Sequence, residues 1–141
     1  MEDKTTSDLT QELMSQDNLD DYIQDNRPYF FNQSVAQLLD ELYQRKTVSK
    51  AALARQAGMS EVYLHQVFSG RRNPSRDRLL CLCIGLDATL EETQTLLKRA
   101  CHAQLYPRLK RDAIICHGLI HHVPLSEVND KLFAENEKTL Y

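Results

Sequence analysis

The stretch SKAALARQAGMSEVYLHQVFSGRRNPS, residues 49–75, decides the fold of this chain of 141 residues. It contains two short segments with apolar residues at helical spacing, Ala52–Ala57 and Leu64–Phe68. Gly58 separates the two segments and Gly70 follows the second, and glycine often ends a helix because it tolerates positive φ. A serine precedes each segment, where its hydroxyl can accept a hydrogen bond from a free backbone N–H. The stretch therefore predicts two helices joined by a tight turn.

Helical periodicity continues on both sides of this stretch. Apolar residues at helical spacing follow Ser34, which is predicted to cap a helix carrying Val35, Leu38, Leu39, Leu42 and Tyr43. Pro74-Ser75 is predicted to start a helix whose Leu79, Leu80, Leu82, Cys83 and Leu86 face the core. Thr89 is predicted to cap the next helix, and Met59 is expected to be buried in the turn between the two central helices.

The two ends of the chain are also predicted to be helical. Residues 7–25 indicate one or two short acidic helices, the second starting at Asn18 or Asp20, and the aromatic cluster 29–31 is expected to pin this segment to the main body. Pro107 is predicted to open a helix that runs to about residue 121, and Leu125 opens a last helix that carries Val128, Leu132 and Phe133. Because no strand pattern or repeat occurs, the fold class is predicted to be all-α.

Charge is distributed unevenly along the chain, whose formal net charge is −3. Residues 1–45 hold ten acidic and three basic side chains, a local charge of −7. Residues 46–78 hold seven basic and two acidic side chains, a local charge of +5, and residues 79–141 carry −1. A basic patch supplies the salt-dependent part of DNA affinity, so the central segment is the candidate for nucleic-acid binding.

Composition and motifs exclude several classes of function. No apolar run approaches the roughly 18 residues of a membrane span, and the polar N-terminus does not resemble a signal peptide, so we expect a cytoplasmic protein without a membrane partner. Catalytic motifs such as a glycine-rich phosphate loop are missing, so neither an enzyme nor a cofactor is expected. The cysteines are expected to be reduced thiols. They are Cys81, Cys83, Cys101 and Cys116.

Histidines near the C-terminal end invite a metal interpretation. His117 and His121 are four residues apart and would share a helix face, as zinc ligands can. No second ligand pair with fixed spacing accompanies them, and Cys81 and Cys83 would point to different faces of a helix. We therefore expect no metal site, and expect buried thiols with histidines at the surface or at helix ends. A redox switch among the cysteines stays an open alternative.

The central motif resembles the Cro/lambda-repressor (XRE-type) family of helix-turn-helix transcription regulators, over about residues 34–99. The matching features are Leu53-Ala54, Ala57-Gly58, Met59-Ser60, Leu64, Val67 and the exit segment at residues 70–75. The resemblance implies a lambda-repressor-like five-helix DNA-binding bundle, here with an acidic helical N-terminal extension and a C-terminal helical pair. The corresponding segments are residues 1–33, 34–103 and 104–141.

The same resemblance implies which residues touch DNA. An exposed second helix of the motif would enter the major groove and read base edges. Glu61 departs from the polar or basic residue usual at its position, and its carboxylate suits DNA only by accepting a hydrogen bond from a cytosine amino group. The residues implied at or near base edges are Glu61, Val62, Gln66 and Ser69, with Tyr63 and His65 able to add contacts. Those implied at phosphates are Lys50, Arg55, Arg71, Arg72 and Asn73, with free N–H groups at Ser49 and Ser60.

Two functions from different classes follow. The first is a sequence-specific regulator that binds double-stranded DNA as a homodimer, with residues 107–138 as the first choice of dimer surface. The second is an adaptor that docks a partner protein through the helix-turn-helix or the acidic residues 1–33, which could also fold back over the basic segment. A further basic cluster, Arg108, Lys110 and Arg111, could reach flanking DNA, pair with the acidic segment or form a salt-bridged face.

Overall fold

The fold is seen in a computed structural model, which describes residues 3–30 and 34–141. Across these residues the secondary structure consists of nine α-helices and one 3₁₀ turn, which confirms the all-α class. No helix in the described ranges is long and apolar enough to cross a membrane. The helices are α1 (Thr6–Ser15), α2 (Leu19–Asp25), α3 (Val35–Gln44), α4 (Lys50–Gln56), α5 (Glu61–Phe68), α6 (Arg76–Gly85), α7 (Leu90–Arg99), α8 (Lys110–Ile120) and α9 (Leu125–Ala134), with the 3₁₀ turn at Arg27–Tyr29.

The helices with a predicted N-terminal cap start where the sequence predicts them. Each predicted capping side chain accepts a hydrogen bond from the backbone N–H three residues on, as between Ser49 and Ala52 and between Ser60 and Tyr63, both at 3.1 Å. These bonds satisfy N–H groups that the first turn of a helix leaves without a partner. The observed caps are Asn18, Ser34, Ser49, Ser60, Ser75 and Thr89.

Six helices of the second part of the chain end at a residue with positive φ. Gly58 (φ +68) and Gly70 (φ +82) take this role after α4 and α5, as predicted. In both cases the next N–H bonds a carbonyl five residues back, Met59 to Ala54 and Arg71 to Gln66, each at 3.0 Å. The residues with positive φ after α6, α7, α8 and α9 were not predicted from the sequence. They are Asp87, Cys101, His122 and Asn136.

The chain divides into two compact units, residues 1–32 and residues 33–141. In the first unit α1 contacts α2, and the described residues bury one aromatic ring, Tyr22, which meets Phe30 edge-on at 6.3 Å. The buried Asn26 amide joins the two helices, because it accepts from Lys4 and donates to Glu12, both at 2.8 Å. Phe31, the third aromatic residue of the predicted cluster, lies outside the described residues. The predicted segment boundaries and the predicted pinning of this segment stay predictions.

The second unit is built around α6. Leu79, Leu80, Leu82 and Cys83 are buried as predicted, and Cys81 and Ile84 are buried as well, so this helix is covered on all sides. It contacts α4, α7, α8 and α9, while α3 packs on α5 and α7. Each fully buried leucine of α6 contributes about 1.5–3 kcal/mol of transfer free energy.

Two predicted details are wrong. α8 begins at Lys110 rather than at Pro107, because residues 106–109 form a turn in which Leu109 N–H donates to the Tyr106 carbonyl at 2.9 Å. The side chain of Asp112 accepts from the Tyr106 N–H at 2.9 Å and so holds this turn outside the helix. Met59 is only half-buried. Phe133 lies on α9 as predicted, and its side chain is 77% exposed, since the neighbouring position, Leu132, takes the inner face of this helix.

Two ion pairs join α6 to α8, and we call these four residues the C-terminal junction. Arg76 contacts the buried carboxylate of Asp112 at 3.0 Å, and Arg111 contacts Asp77 at 3.0 Å. Arg76 also donates to the carbonyls of Ala103 and Gln104 at 2.9 and 3.3 Å. The C-terminal helical pair is therefore tied to the first turn of α6 by charge-assisted hydrogen bonds, the stronger class of such bonds.

The chain beyond α9 returns to the central turn. Arg111 Nε donates to the Lys138 carbonyl at 2.8 Å, and the buried Leu140 N–H donates to Asn129 Oδ1 at 2.7 Å. The ring of Tyr141 lies over Gly58, so close that a Cβ at that glycine would come within 2.8 Å of it. Residues 138–141 therefore cover the turn between α4 and α5.

Candidate nucleic-acid interface

α5 presents one buried and one exposed face. Leu64 and Val67 point into the core, and Val62 is 68% exposed on the opposite side. Glu61 and His65 share the exposed side, four residues apart, with Glu61 Oε1 and His65 Nε2 at 3.5 Å. A helix with one free polar face is the shape that enters a major groove.

A shallow groove of roughly 600 Å³ runs along this face. We call it the recognition groove, and it brings together six of the predicted site residues from α4, α5 and the loop after α5. Its lining consists of Lys50, Val62, His65, Gln66, Phe68, Ser69 and Arg71. Phe68 is the member that the sequence did not single out as a site residue.

Aromatic rings hold Lys50 at the groove. Its ammonium lies 4.8 Å from the ring centre of Phe68 and 5.4 Å from that of Tyr43. These two rings meet edge-on at 5.6 Å, so they form one rigid support. The ammonium has no carboxylate partner among the described residues, and cation–π contacts orient it without neutralising it.

Gln66 is fixed by an arginine from the loop after α5. Arg72 Nε donates to Gln66 Oε1 at 2.8 Å. A carbonyl oxygen has two lone pairs, so Oε1 keeps one acceptor site and the Nε2 donors of Gln66 stay available. The amide is therefore oriented before any ligand arrives.

Two arginines contact the ring of Tyr63. The guanidinium carbon of Arg72 is 5.6 Å from the ring centre, and that of Arg78, on the first turn of α6, is 4.5 Å from it. Tyr63 is half-buried, whereas both arginines are exposed. Arg78 belongs to the basic segment, but its contact with Tyr63 could not be predicted. Residue spacing along the chain does not show that the first turn of α6 reaches the side chain of Tyr63.

Other predicted site residues lie apart from the groove lining. The hydroxyls of Ser49 and Ser60 are used as helix caps. Arg55 lines a different depression with Lys46, Gln56 and Tyr141. Asn73 is exposed in the loop before α6.

The basic segment separates into paired and unpaired cations. Lys46 forms an ion pair with Asp87, and Arg76 with Asp112. Within the described ranges the remaining five lack a carboxylate partner: Lys50, Arg55, Arg71, Arg72 and Arg78. Uncompensated charge therefore concentrates around α5.

The second basic cluster differs from this surface. Arg111 pairs with Asp77, and Lys110 pairs with Glu135 at 3.2 Å. Both partners belong to the second unit, so the salt-bridged interpretation is confirmed for these two residues. The carboxylate of Glu135 has a pKa below its usual range, because Lys110 and then Lys131 hydrogen-bond to it.

The thiols and the histidines of α8 are separate from the recognition groove. All four cysteines are free; Cys101 is exposed and the others are buried. Burial raises the pKa of the Cys81 and Cys83 thiols to about 12. The rings of His117 and His121 are 4.3 Å apart, yet the described part of the chain has no cluster of three or more metal-ligating side chains.

Comparison with known proteins gives one match. Residues 34–96, which carry α3 to α6 and most of α7, match the family model of a helix-turn-helix domain. No curated protein and no solved structure matches the chain. The two helices of the motif are therefore α4 and α5, with Gly58 in the turn between them.

Proposed function

We propose that the chain is a transcription regulator that places α5 in the major groove of double-stranded DNA and binds it sequence-specifically. The observation that carries the proposal is the recognition groove, which combines an exposed helix face with cations that lack carboxylate partners. Lys50 and Arg71 would contact phosphates, the source of most salt-dependent affinity. The proposal assigns the protein to the cytoplasm and to the XRE-type, lambda-repressor-like class, with no catalytic role and no cofactor.

Gln66 is the residue best prepared to read a base. Its amide is oriented by Arg72 and retains both a donor and an acceptor, the pair that adenine N7 and N6 require. Val62 would contact a thymine methyl group, and Glu61 would accept from a cytosine amino group. A mixed pattern of this kind favours a specific sequence over general DNA binding.

Selection from a pool of random duplexes, followed by a mobility shift over a range of salt, tests the proposal. The full chain should enrich a common sequence, and its affinity should fall steeply with salt. The double variant Lys50→Gln/Arg71→Gln should flatten the logarithmic salt dependence by about 1.8, because each lost phosphate contact contributes about 0.9. Gln66→Ala should lose preference at one base pair, at a cost of about 1–3 kcal/mol.

A matched control removes the same charge elsewhere. Lys110→Gln/Lys131→Gln deletes two lysines that pair with Glu135. This control should leave the salt dependence unchanged. Absence of salt-sensitive binding to any duplex would contradict the proposal. An equal fall in salt dependence in both double variants would show that overall charge, and not the recognition groove, determines binding.

We further propose a homodimer, because one such module covers too little DNA for high specificity. The exposed side chains of Ile120 and Phe133 support residues 107–138 as the dimer surface. Sedimentation of the full chain with Phe133→Ser should shift the mass towards the monomer, whereas Val62→Ser, which changes another exposed apolar side chain on α5, should not.

A second candidate function is an adaptor that binds a partner protein through the first unit. Its described residues carry seven acidic and two basic side chains, so this unit would repel DNA. Leu13, Met14 and Leu19 are exposed there, and Met14 is 84% accessible. An acidic surface with exposed apolar side chains suits a basic amphipathic partner helix.

Two variants separate the candidates. Leu13→Ser/Met14→Ser should release a protein partner and leave DNA binding intact if the adaptor role is correct. Arg71→Glu/Arg72→Glu should abolish DNA binding and leave such a partner bound. A protein that loses no binding activity with either variant would contradict both candidates.

A further inference from the structure

Two arginines from different elements of the fold contact the same aromatic ring. Arg72 leaves the loop after α5 and Arg78 leaves the first turn of α6, yet both guanidinium groups lie on Tyr63, at 5.6 and 4.5 Å. Both side chains are exposed, and neither has a carboxylate partner in the part of the chain that the structure describes. Two like charges at one ring repel each other, so a shared anion would favour this arrangement.

The carboxylates nearest in sequence have other partners. Glu61, two residues before Tyr63, faces His65 at 3.5 Å. Asp77, the residue before Arg78, is contacted by Arg111 at 3.0 Å and by Lys138 at 3.8 Å. The anion that completes the pair of arginines therefore comes from outside this part of the chain.

The donor groups fit a phosphodiester. Arg72 uses Nε for Gln66, and its Nη groups form no hydrogen bond within the described residues. The side chain of Arg78 donates none there, because only its backbone N–H is engaged, by Ser75 Oγ at 3.3 Å. A guanidinium offers a planar fork that matches two phosphate oxygens, and two such forks can hold one phosphate group.

We propose that Tyr63 supports Arg72 and Arg78 as a two-arginine clamp for a phosphate of the DNA backbone beside the base pairs that α5 reads. The clamp rests on the proposed DNA-binding function and adds Arg78 to its contacts. Tyr63 is a positioning residue in this arrangement, since its ring orients the arginines and reads no base.

The clamp links backbone contact to base reading and to the C-terminal helices. Arg72 joins the phosphate to the oriented amide of Gln66. Arg78 follows Arg76 and Asp77, whose ion pairs with α8 fix the first turn of α6. The C-terminal junction therefore sets the position of one half of the clamp.

Salt-dependent binding of the full chain to a duplex selected by the wild-type protein tests the clamp. Arg78→Gln should lower the slope of log affinity against log salt by about 0.9, the value for one phosphate. Tyr63→Leu should lower it as well, whereas Tyr63→Phe keeps the ring and should retain the wild-type slope. Arg78→Gln and Tyr63→Phe should not change which bases are preferred.

Arg45→Gln is the matched control, because Arg45 is an exposed arginine that pairs with Glu92 at 2.6 Å and does not line the recognition groove, so its loss should leave the slope unchanged. Circular dichroism of each variant verifies the fold, and Arg78→Gln alters only an exposed side chain. A wild-type slope in Arg78→Gln, an equal loss in Arg45→Gln, or an altered base preference in Tyr63→Phe would overturn the clamp. Wild-type protein that binds no duplex would overturn the proposed function, and the clamp with it.

Discussion

The recognition groove and the C-terminal junction both contain basic side chains, but these are neutralised in the junction and stay available to a ligand at the groove. In the junction Arg76 meets the buried Asp112, and Arg111 meets Asp77 and two backbone carbonyls. Around the groove Lys50 lies on Phe68, and Arg72 and Arg78 lie on Tyr63. A carboxylate neutralises a cation and makes it part of the scaffold, whereas a ring orients it and leaves its charge available to a ligand.

Two neighbouring arginines of the basic segment show the same difference. Arg76 and Arg78 are two residues apart on one helix turn, yet only Arg76 is engaged by a carboxylate. Side chains two residues apart in a helix point roughly 200° apart around its axis, so Arg76 and Arg78 reach different neighbours. The role of an arginine here depends on which element its side chain reaches.

Breaking the junction should have the largest effect on stability. Asp112→Ala leaves the Arg76 guanidinium half-buried without its carboxylate and frees the turn at residues 106–109, at an expected cost of about 3–5 kcal/mol in free energy of unfolding. Urea denaturation measures this cost. Lys110→Ala removes an exposed pair and should cost less than about 1 kcal/mol. Similar costs for the two variants would show that the junction is no more than a surface contact.

The next largest effect concerns the turn that residues 138–141 cover. Gly58→Ala forces a side chain into positive φ, at about 1–2 kcal/mol, and pushes its Cβ against Tyr141. Gly70→Ala has the same strain but meets open space, with its nearest neighbour, Ala36 Cβ, at 4.0 Å. Thermal unfolding should therefore show the greater loss for Gly58→Ala. Equal losses would mean that the Tyr141 ring moves aside freely.

Alkaline pH should weaken the buried helix that carries the junction. The folded state raises the pKa of the Cys81 and Cys83 thiols from 9.0 to about 12, so the unfolded chain releases those protons first. The stability they contribute is complete below pH 9 and is lost as pH rises towards 12, by about 1.4 kcal/mol per pH unit for each thiol. Urea unfolding at increasing pH should show a shallower decline in Cys81→Ala/Cys83→Ala. Parallel declines would contradict burial of these thiols.

The smallest effect on stability is expected at the groove itself. Arg71 is exposed and has no partner among the described residues, so Arg71→Gln should change the free energy of unfolding by less than about 0.5 kcal/mol. The same variant should weaken salt-sensitive DNA binding. If Arg71→Gln instead lowered stability and left DNA binding unchanged, Arg71 would have a structural role and not a role in binding.

Local signals account for the parts of the fold that could be predicted. Ser34, Ser49, Ser60, Ser75 and Thr89 cap helices because a cap needs only its own turn of backbone. Prediction was wrong at Pro107, since a side chain from the following helix, Asp112, holds the preceding turn open. Proline tolerates a helix start but does not require one.

The candidate site likewise has a part that could be predicted from local sequence and a part that could not. The faces of α5 follow from helical spacing, so Val62, His65 and Gln66 could be assigned to one groove in advance. The contribution of Arg78 could not, because its contact with Tyr63 depends on how α6 packs beside α5. Likewise, the net charge of the segment counted Arg76 as available, although Asp112 engages it from α8.

The sequence by itself determined the helices, their caps, the central turn and the concentration of basic residues around it, because these depend on neighbours within one or two turns of chain. Tertiary structure alone decided which cations stay unpaired, how residues 138–141 cover Gly58, and where Arg78 lies. Those outcomes depend on contacts between residues far apart in the chain, and such contacts exist only once the helices have packed.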